Sequence, residues 1–413
     1  MRVIQIQIPN RRIKLNKIYK VAVIGGGASG LMCAVDLCSG KNALSGSDVL
    51  ILERNDRVGK KLIATGNGQG NLMNEHFGVE NYRGERSFIE KFVRLAKEVD
   101  LEKYLSDLGI PLCTLKDGKI YPLSRQANSV LDSLRAYLSF KGCVTQTEAF
   151  VKGVKSKKEY FVLTTDNGDY FAEKVVMATG GMAAKQFGTD GSSYLLAEKF
   201  GHKKTTLYPA LVQLKTETNA IKGLKGLKEV ASVTAYKNGK PLKTCVGDLL
   251  FTDYGVSGNT VFQLSSVFDG MGEEYLSVEF LPELSIEKLV EIITKRQSLE
   301  HIDNNEVLSG ILNKRVGQAV LKASKSNQAT DIAHAVKNFK LKVTGNLGFN
   351  YAQVTKGGIA TKDVNPLTME SKLVKDFYLV GETLDVDGDC GGYNVTFAFV
   401  SGIIAARAIK DNY

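Results

Sequence analysis

Lys20-Val21-Ala22-Val23-Ile24-Gly25-Gly26-Gly27-Ala28-Ser29-Gly30 carries the signature from which the architecture follows. A β-branched apolar run passes straight into Gly-x-Gly-x-x-Gly, and an apolar helical pattern follows (Leu31, Ala34, Val35, Leu37, Cys38). That sequence of features is the entrance of a βαβ unit that binds a dinucleotide. Gly25 permits the tight turn, Gly27 lets a pyrophosphate approach the backbone, and Gly30 lets the helix pack close to the sheet. The helix N-terminus, with Ala28 and Ser29 in its first turn, offers free N–H groups and a positive dipole end to the anion. Residues 48–52 read as the second strand. Glu53 ends it about twenty residues past the last glycine, where a carboxylate accepts from a ribose hydroxyl, with Arg54 beside it.

Next along the chain, Gly59-Lys60-Lys61-Leu62 leads into Thr65-Gly66-Asn67-Gly68-Gln69-Gly70-Asn71. Backbone N–H groups and the small side chains of Thr65, Asn67 and Asn71 can converge there on a ligand, with Gly66 and Gly68 shaping the turn and Lys60 and Lys61 supplying charge. The same composition also suits a plain surface loop. Helical periodicity covers 87–108 and 129–140, and strands are expected over 144–147, 149–154 (which includes Val151), 160–165 and 170–172. Val175-Val176-Met177 is a second buried strand. It ends in Ala178-Thr179-Gly180-Gly181, at the carboxyl edge where open α/β sheets bind ligands.

From about residue 205 the texture changes to an α+β pattern, with strands near 207–214, 229–236 and 249–258 and helices near 286–294, 306–312 and 316–323. The first idiom then returns. A short strand ends in Gly381-Glu382, Asp385 follows, and Gly391-Gly392-Tyr393-Asn394-Val395 opens a long apolar helix. A strand ending in glycine plus an acid is where FAD enzymes of the glutathione-reductase type hold the ribityl chain and pyrophosphate, and a glycine pair before a helix directs N–H groups at the isoalloxazine. The expected division is 1–204 and 350–413 as two segments of an FAD-binding domain, with 205–349 inserted.

Composition bounds the rest. The net charge of +10 could suit an anionic partner, but the 54 lysines and arginines are scattered, which fits a solvated basic surface. Six cysteines without Cys-x-x-Cys, and without metal spacing to the four histidines, point to reduced thiols in a cytoplasmic protein and to no metal site. Ile4, Ile6 and Ile8 alternate like a strand and basic residues follow them, so no signal peptide is expected. No apolar run reaches membrane-spanning length.

The chain resembles the bacterial BaiN/YhiN-type flavoproteins, the NAD(P)/FAD-dependent oxidoreductases also described as aminoacetone-oxidase-like FAD-binding proteins. The motifs that carry the resemblance are 25–30, Gly59-Lys60-Lys61-Leu62 with Thr65-Gly66-Asn67-Gly68, Ala178-Thr179-Gly180-Gly181, Gly357-Gly358-Ile359, 368–372, and 381–388 with Cys390-Gly391-Gly392-Tyr393-Asn394. The resemblance implies a Rossmann-like α/β FAD domain in two segments, an inserted α+β domain with a small β-barrel and helices, and redox chemistry at FAD on an undefined substrate. Two departures stand out. The family pattern Gly-Arg-Cys-Asn is here Gly68-Gln69-Gly70-Asn71, which removes a cation and a thiol, and a family histidine is here Asp253.

The leading expectation is therefore an FAD-dependent oxidoreductase passing hydride between flavin and NAD(P)H or a small organic substrate. Tyr393, Asn394, Asp253 and Cys390 are the side chains to test for substrate contact or proton transfer; each also has a structural reading, Asp253 as a turn cap and Cys390 as a small core residue. A flavin-carrying RNA-binding or redox-sensing protein is the alternative class, although no membrane and no nucleic-acid partner is the primary expectation. A plain NAD dehydrogenase using only the first βαβ unit is the third reading.

Overall fold

The computed structural model describes residues 17–413; the expected strand at Ile4 to Ile8 lies outside them. The chain divides into two compact units, one reaching Tyr208 and resuming at Val354–Tyr413, the other Pro209–Gln353.

The first unit is built on a seven-stranded sheet. Its centre is β1 (Ile18–Ile24), flanked by β2 (Val49–Leu52) and by Gly168–Met177, all parallel. Val144–Gln146 extends the sheet beyond β2. Val21, Val23, Leu50 and Ile51 are fully buried, as a two-sided parallel sheet requires of its strands. One correction concerns Gly168–Met177, expected as two strands but forming one of 10 residues. Its first half pairs antiparallel with Phe161–Thr165, and its last residues pair parallel with Phe377–Leu379. Lys174, inside this strand, is buried and paired with Asp376, the residue just before Phe377–Leu379.

Helix α1 (Ala28–Leu37) packs against the C-terminal helix Tyr393–Lys410. That helix is apolar nearly all round because it is enclosed by protein: Phe399, Val400, Ile403, Ala405 and Ile409 are fully buried, and Gly402 lies against the Ser29 carbonyl and Cys33. No helix of the described residues is long and apolar enough to cross a membrane. The expected helix 87–108 is two, Arg86–Val99 and Leu101–Asp107, divided at Asp100. Asp100 adopts a left-handed conformation (φ 47°), and its carboxylate caps the second helix through Lys103 N–H at 3.1 Å.

The second unit is a closed barrel of six strands in the order Leu214–Thr216, Gly255–Ser257, Lys240–Phe251, Lys228–Lys237, Glu274–Phe280 and Phe339–Asn346. Closure joins Phe339–Asn346 back to Leu214–Thr216. Burial alternates along Glu274–Phe280, with Leu276, Val278 and Phe280 inside. Helices Ile286–Gln297, Lys314–Ala323 and Ala329–Lys337 complete this core through Leu289, Val320 and Ile332. The expected helix at 306–312 is absent; only a short 3-10 turn, Asn304–Glu306, forms, and Gly310 sits at φ 81°.

Candidate functional site

The carboxyl ends of the parallel strands form one edge. Gly25 N–H donates to the Leu52 carbonyl (2.8 Å), Ala178 N–H to Ile24 (2.9 Å), and Val380 N–H to Met177 (3.1 Å), so the turns after four strands stand side by side. Gly25 has φ 105°, and a Cβ there would meet the Ala178 carbonyl, so the turn admits only glycine. A Cβ on Gly30 would run into the Gly25 carbonyl. Gly27 differs. Its φ is −83°, a Cβ there meets nothing within 4 Å, and no side chain caps the helix it precedes. The first-turn N–H groups of α1, at Ala28 and Ser29, thus belong to a helix start with no side-chain cap and open space beside Gly27, the arrangement that accepts an anion.

Glu53 is buried and already engaged: one oxygen accepts from Gly26 N–H (2.9 Å), and the other accepts from the Asn55 amide N–H and side chain (both 2.8 Å). It ties the glycine turn to the end of β2, with lone pairs left for a hydroxyl. Arg54 lies 4.4 Å over the Phe150 ring and pairs with Asp190 at 2.9 Å. Burial of Asp190 opposes its ionisation, but the hydrogen bonds from Arg54 and Ser192 outweigh this and lower its pKa to about 2. Ala149 N–H donates to the Glu53 carbonyl, which brings the start of the strand Val151–Ser156 to the same end of the site.

The second glycine loop is a kinked 3-10 segment, Leu62–Gly68, with Gly66 and Asn67 both left-handed. Thr65 Oγ1 donates to Leu62 O, Gly66 and Asn67 are exposed, and the Asn71 side-chain oxygen is buried with no partner. Lys60 pairs with Asp56 at 2.5 Å, and Lys61 pairs with Glu382 at 2.6 Å. Glu382 also accepts from Thr355 N–H (2.7 Å), and the Thr355 hydroxyl accepts from Met182 and Ala183 N–H (2.8 and 2.9 Å). Thr355 therefore links the Gly180-Gly181 turn to the Gly381-Glu382 turn. Nothing in the sequence marks this role, because one threonine before Gly357-Gly358 is unremarkable until the fold closes.

At the N-terminus of the C-terminal helix, Asn394 closes the preceding turn, accepting from Gly388 N–H (2.8 Å) and donating to Gly388 O (2.9 Å). The Tyr393 hydroxyl donates to the His76 carbonyl at 3.2 Å, and burial, then the charges of Asp389 and Glu80, push its pKa up to about 12. Burial also raises the Cys390 thiol, against the pull of Lys119, and raises the Asp385 carboxyl, against a hydrogen bond with Thr205. Gly391 and Gly392 have φ 140° and 97°, and Gly391 O accepts from Asn74 at 3.2 Å. Val395 N–H bonds back to Gly392 O. Arg83 holds the loop through its Nε and Nη1, which lie 2.7 Å from Asp387 and Asp389 respectively.

The first unit thus gathers the glycine turn, Glu53 to Lys61, the second loop, 178–181 and 381–395. Asp253 belongs to the second unit, where it is exposed and pairs with Lys225 at 2.7 Å. Among the described residues no group of three or more His, Cys, Asp or Glu is placed to hold a metal.

Fold and turns define a Rossmann-type dinucleotide-binding protein with a barrel inserted between the two segments of its sheet. The chain belongs to the family of the HI0933-like protein Rossmann domain, whose pattern matches residues 19–408, that is, the BaiN/YhiN-type proteins. It is 34% identical to the 3-dehydro-bile acid delta(4,6)-reductase of Clostridium scindens over 95% of this chain and 99% of that protein. It is 27% identical to the ribosomal RNA dihydrouridine synthase of Haemophilus influenzae over 94% of this chain and 98% of that protein. The structure of a 3-ketosteroid delta1-dehydrogenase from Sterolibacterium denitrificans shares the fold, with a TM-score of 0.52 at 11% identity, over 96% of this chain and all of that one.

Proposed function

We propose that the protein is an FAD-dependent reductase that saturates a ring carbon–carbon double bond conjugated to a carbonyl. The observation that carries the cofactor reading is the open space over Gly27 at an uncapped helix N-terminus, with the Gly180-Gly181, Gly381-Glu382 and Gly391-Gly392 turns in the same unit. The buried, unpartnered Asn71 oxygen gives the second loop a polar group still in need of a donor. These residues fit FAD. The pyrophosphate would lie on Gly27, Ala28, Ser29 and Gly30, and the adenosine end along Glu53, Arg54 and Val151. Lys60, Lys61, Thr65 to Gly68, Asn71 and Ala178 to Gly181 would line its length, and Gly381, Glu382, Asp385 and Gly391 to Val395 the flavin end. Bound FAD would supply hydride transfer.

The substrate class rests on the relatives. A bile-acid delta(4,6)-reductase and a dihydrouridine synthase both, by name, concern a ring double bond next to a carbonyl. Saturation needs a proton as well as a hydride. The chain supplies two neutral donors near the flavin end, the Tyr393 hydroxyl and the Cys390 thiol, both kept protonated by burial. NADPH or NADH would supply the electrons. Anaerobic mixing of the loaded protein with each nucleotide, followed by a steroid dienone or by unmodified ribosomal RNA, tests this: loss of flavin absorbance near about 450 nm and its return with one acceptor class are expected. Flavin that neither nucleotide bleaches removes the NAD(P)H linkage, and reduced flavin that neither acceptor reoxidises removes the substrate class.

Within this class, reduction of uridine in ribosomal RNA is suggested by the full-length match to the dihydrouridine synthase, as steroid reduction is by the match to the bile-acid reductase. Binding to RNA that weakens steeply with salt would support the former, since phosphate contacts release counterions.

A further inference from the structure

Nearly every cation around the site is neutralised within the protein. Lys60 pairs with Asp56, Lys61 with Glu382, Arg54 with Asp190, Arg83 with Asp387 and Asp389, and Lys119 with Asp117. Arg125 is held differently. Its Nε (3.1 Å) and Nη2 both donate to the neutral side-chain oxygen of Gln69, and its guanidinium carbon lies 4.5 Å over the Tyr121 ring. No carboxylate pairs with it among the described residues. A guanidinium oriented by an amide and a π face keeps its full charge for an incoming anion.

The backbone supports this reading. Arg125 adopts φ 54°, unusual for a residue with a long side chain, in a turn closed by its N–H on Pro122 O at 2.8 Å. Such a conformation is strained and persists where its surroundings over-determine it. The guanidinium also lies where the site's parts meet. Gln69 belongs to the second glycine loop, Gly70 is packed on Ala127 just past Arg125, and Tyr121 lies against Gly66. The strand carrying Tyr121 pairs with Met73–Asn74, and Asn74 holds Gly391 at the N-terminus of the C-terminal helix. Arg125 thus brings a cation to the second glycine loop.

We propose that Arg125 is a specificity-determining residue that takes an oxyanion carried by the substrate: a phosphate of a uridine nucleotide, or the carboxylate of a bile-acid-like molecule. The choice between these sources rests on the reductase reading; the anion contact itself does not. The visible spectrum of the FAD-loaded protein is titrated with two matched pairs, uridine 5′-monophosphate against uridine and cholate against its methyl ester. The anionic member of one pair should bind about tenfold tighter or more, the effect of one charge-assisted hydrogen bond, and the pair that shows it identifies the source.

In Arg125→Asn, a residue that tolerates the left-handed backbone, the preference should fall to within about twofold while the neutral compound binds as before. Gln69→Ala should reduce the preference without removing the charge. Flavin content and melting temperature should match wild type in both. The proposal is overturned if the wild type shows no preference in either pair, or if Arg125→Asn retains it. Protein that carries no flavin would defeat the reductase reading separately, and the same pairs would then be compared by titration calorimetry.

Discussion

Gly27 is the residue on which cofactor retention turns. Because its φ is already accessible to any side chain and its Cβ direction is empty, Gly27→Val should fold and melt like the apo wild type yet lose FAD, since valine occupies the pyrophosphate space. Full flavin occupancy in that variant would remove Gly27 from the site. Gly25→Ala should instead damage the fold, because φ 105° and the Ala178 carbonyl both forbid the substitution. Glu53→Ala should weaken FAD by roughly 1.5–3 kcal/mol for a charge-assisted bond and loosen the glycine turn it ties to Asn55. Equilibrium binding of FAD to the apoprotein measures this, and unchanged affinity would contradict it. At this scale the glycines and Glu53 were legible because backbone conformation demands particular residues at fixed spacing. Thr355 and Arg125 were not, since their partners lie far away in sequence.

At the level of elements, the segment following the short helix Tyr194–Glu198 is fastened to the 371–374 turn by a buried histidine. The Ser371 hydroxyl accepts from Leu373 and Val374 N–H (3.0 Å each) and is hydrogen-bonded to His202 Nε2 at 2.8 Å. Burial holds His202 below the ordinary value of 6.5. A neutral buried histidine that protonates only on unfolding makes the unfolded state bind more protons. Its contribution is therefore complete above pH 6.5 and is lost as pH falls below that value. The melting temperature should drop between pH 7 and pH 5 (roughly, from the histidine range), and His202→Gln should flatten that part of the profile; an unaltered slope would rule His202 out. The periodic helices were readable from sequence. The break at Asp100 and the continuity of Gly168–Met177 were not, because a single aspartate ends one helix and caps the next, and the charge of Lys174 within the strand is neutralised by Asp376, 202 residues away in sequence.

For the whole molecule, the sequence showed two glycine-rich idioms separated by a change of texture, and the structure joins both to one sheet through the pairing of Gly168–Met177 with β1 and with Phe377–Leu379. The barrel was expected only by resemblance, since short strands with scattered turns do not announce closure. The proposed function requires that the first unit carry FAD. The most direct test is to denature the purified protein and identify and quantify the released chromophore. About one FAD per chain is the predicted result, either as purified or after incubation with added FAD. A colourless protein that takes up no added FAD would contradict the claim.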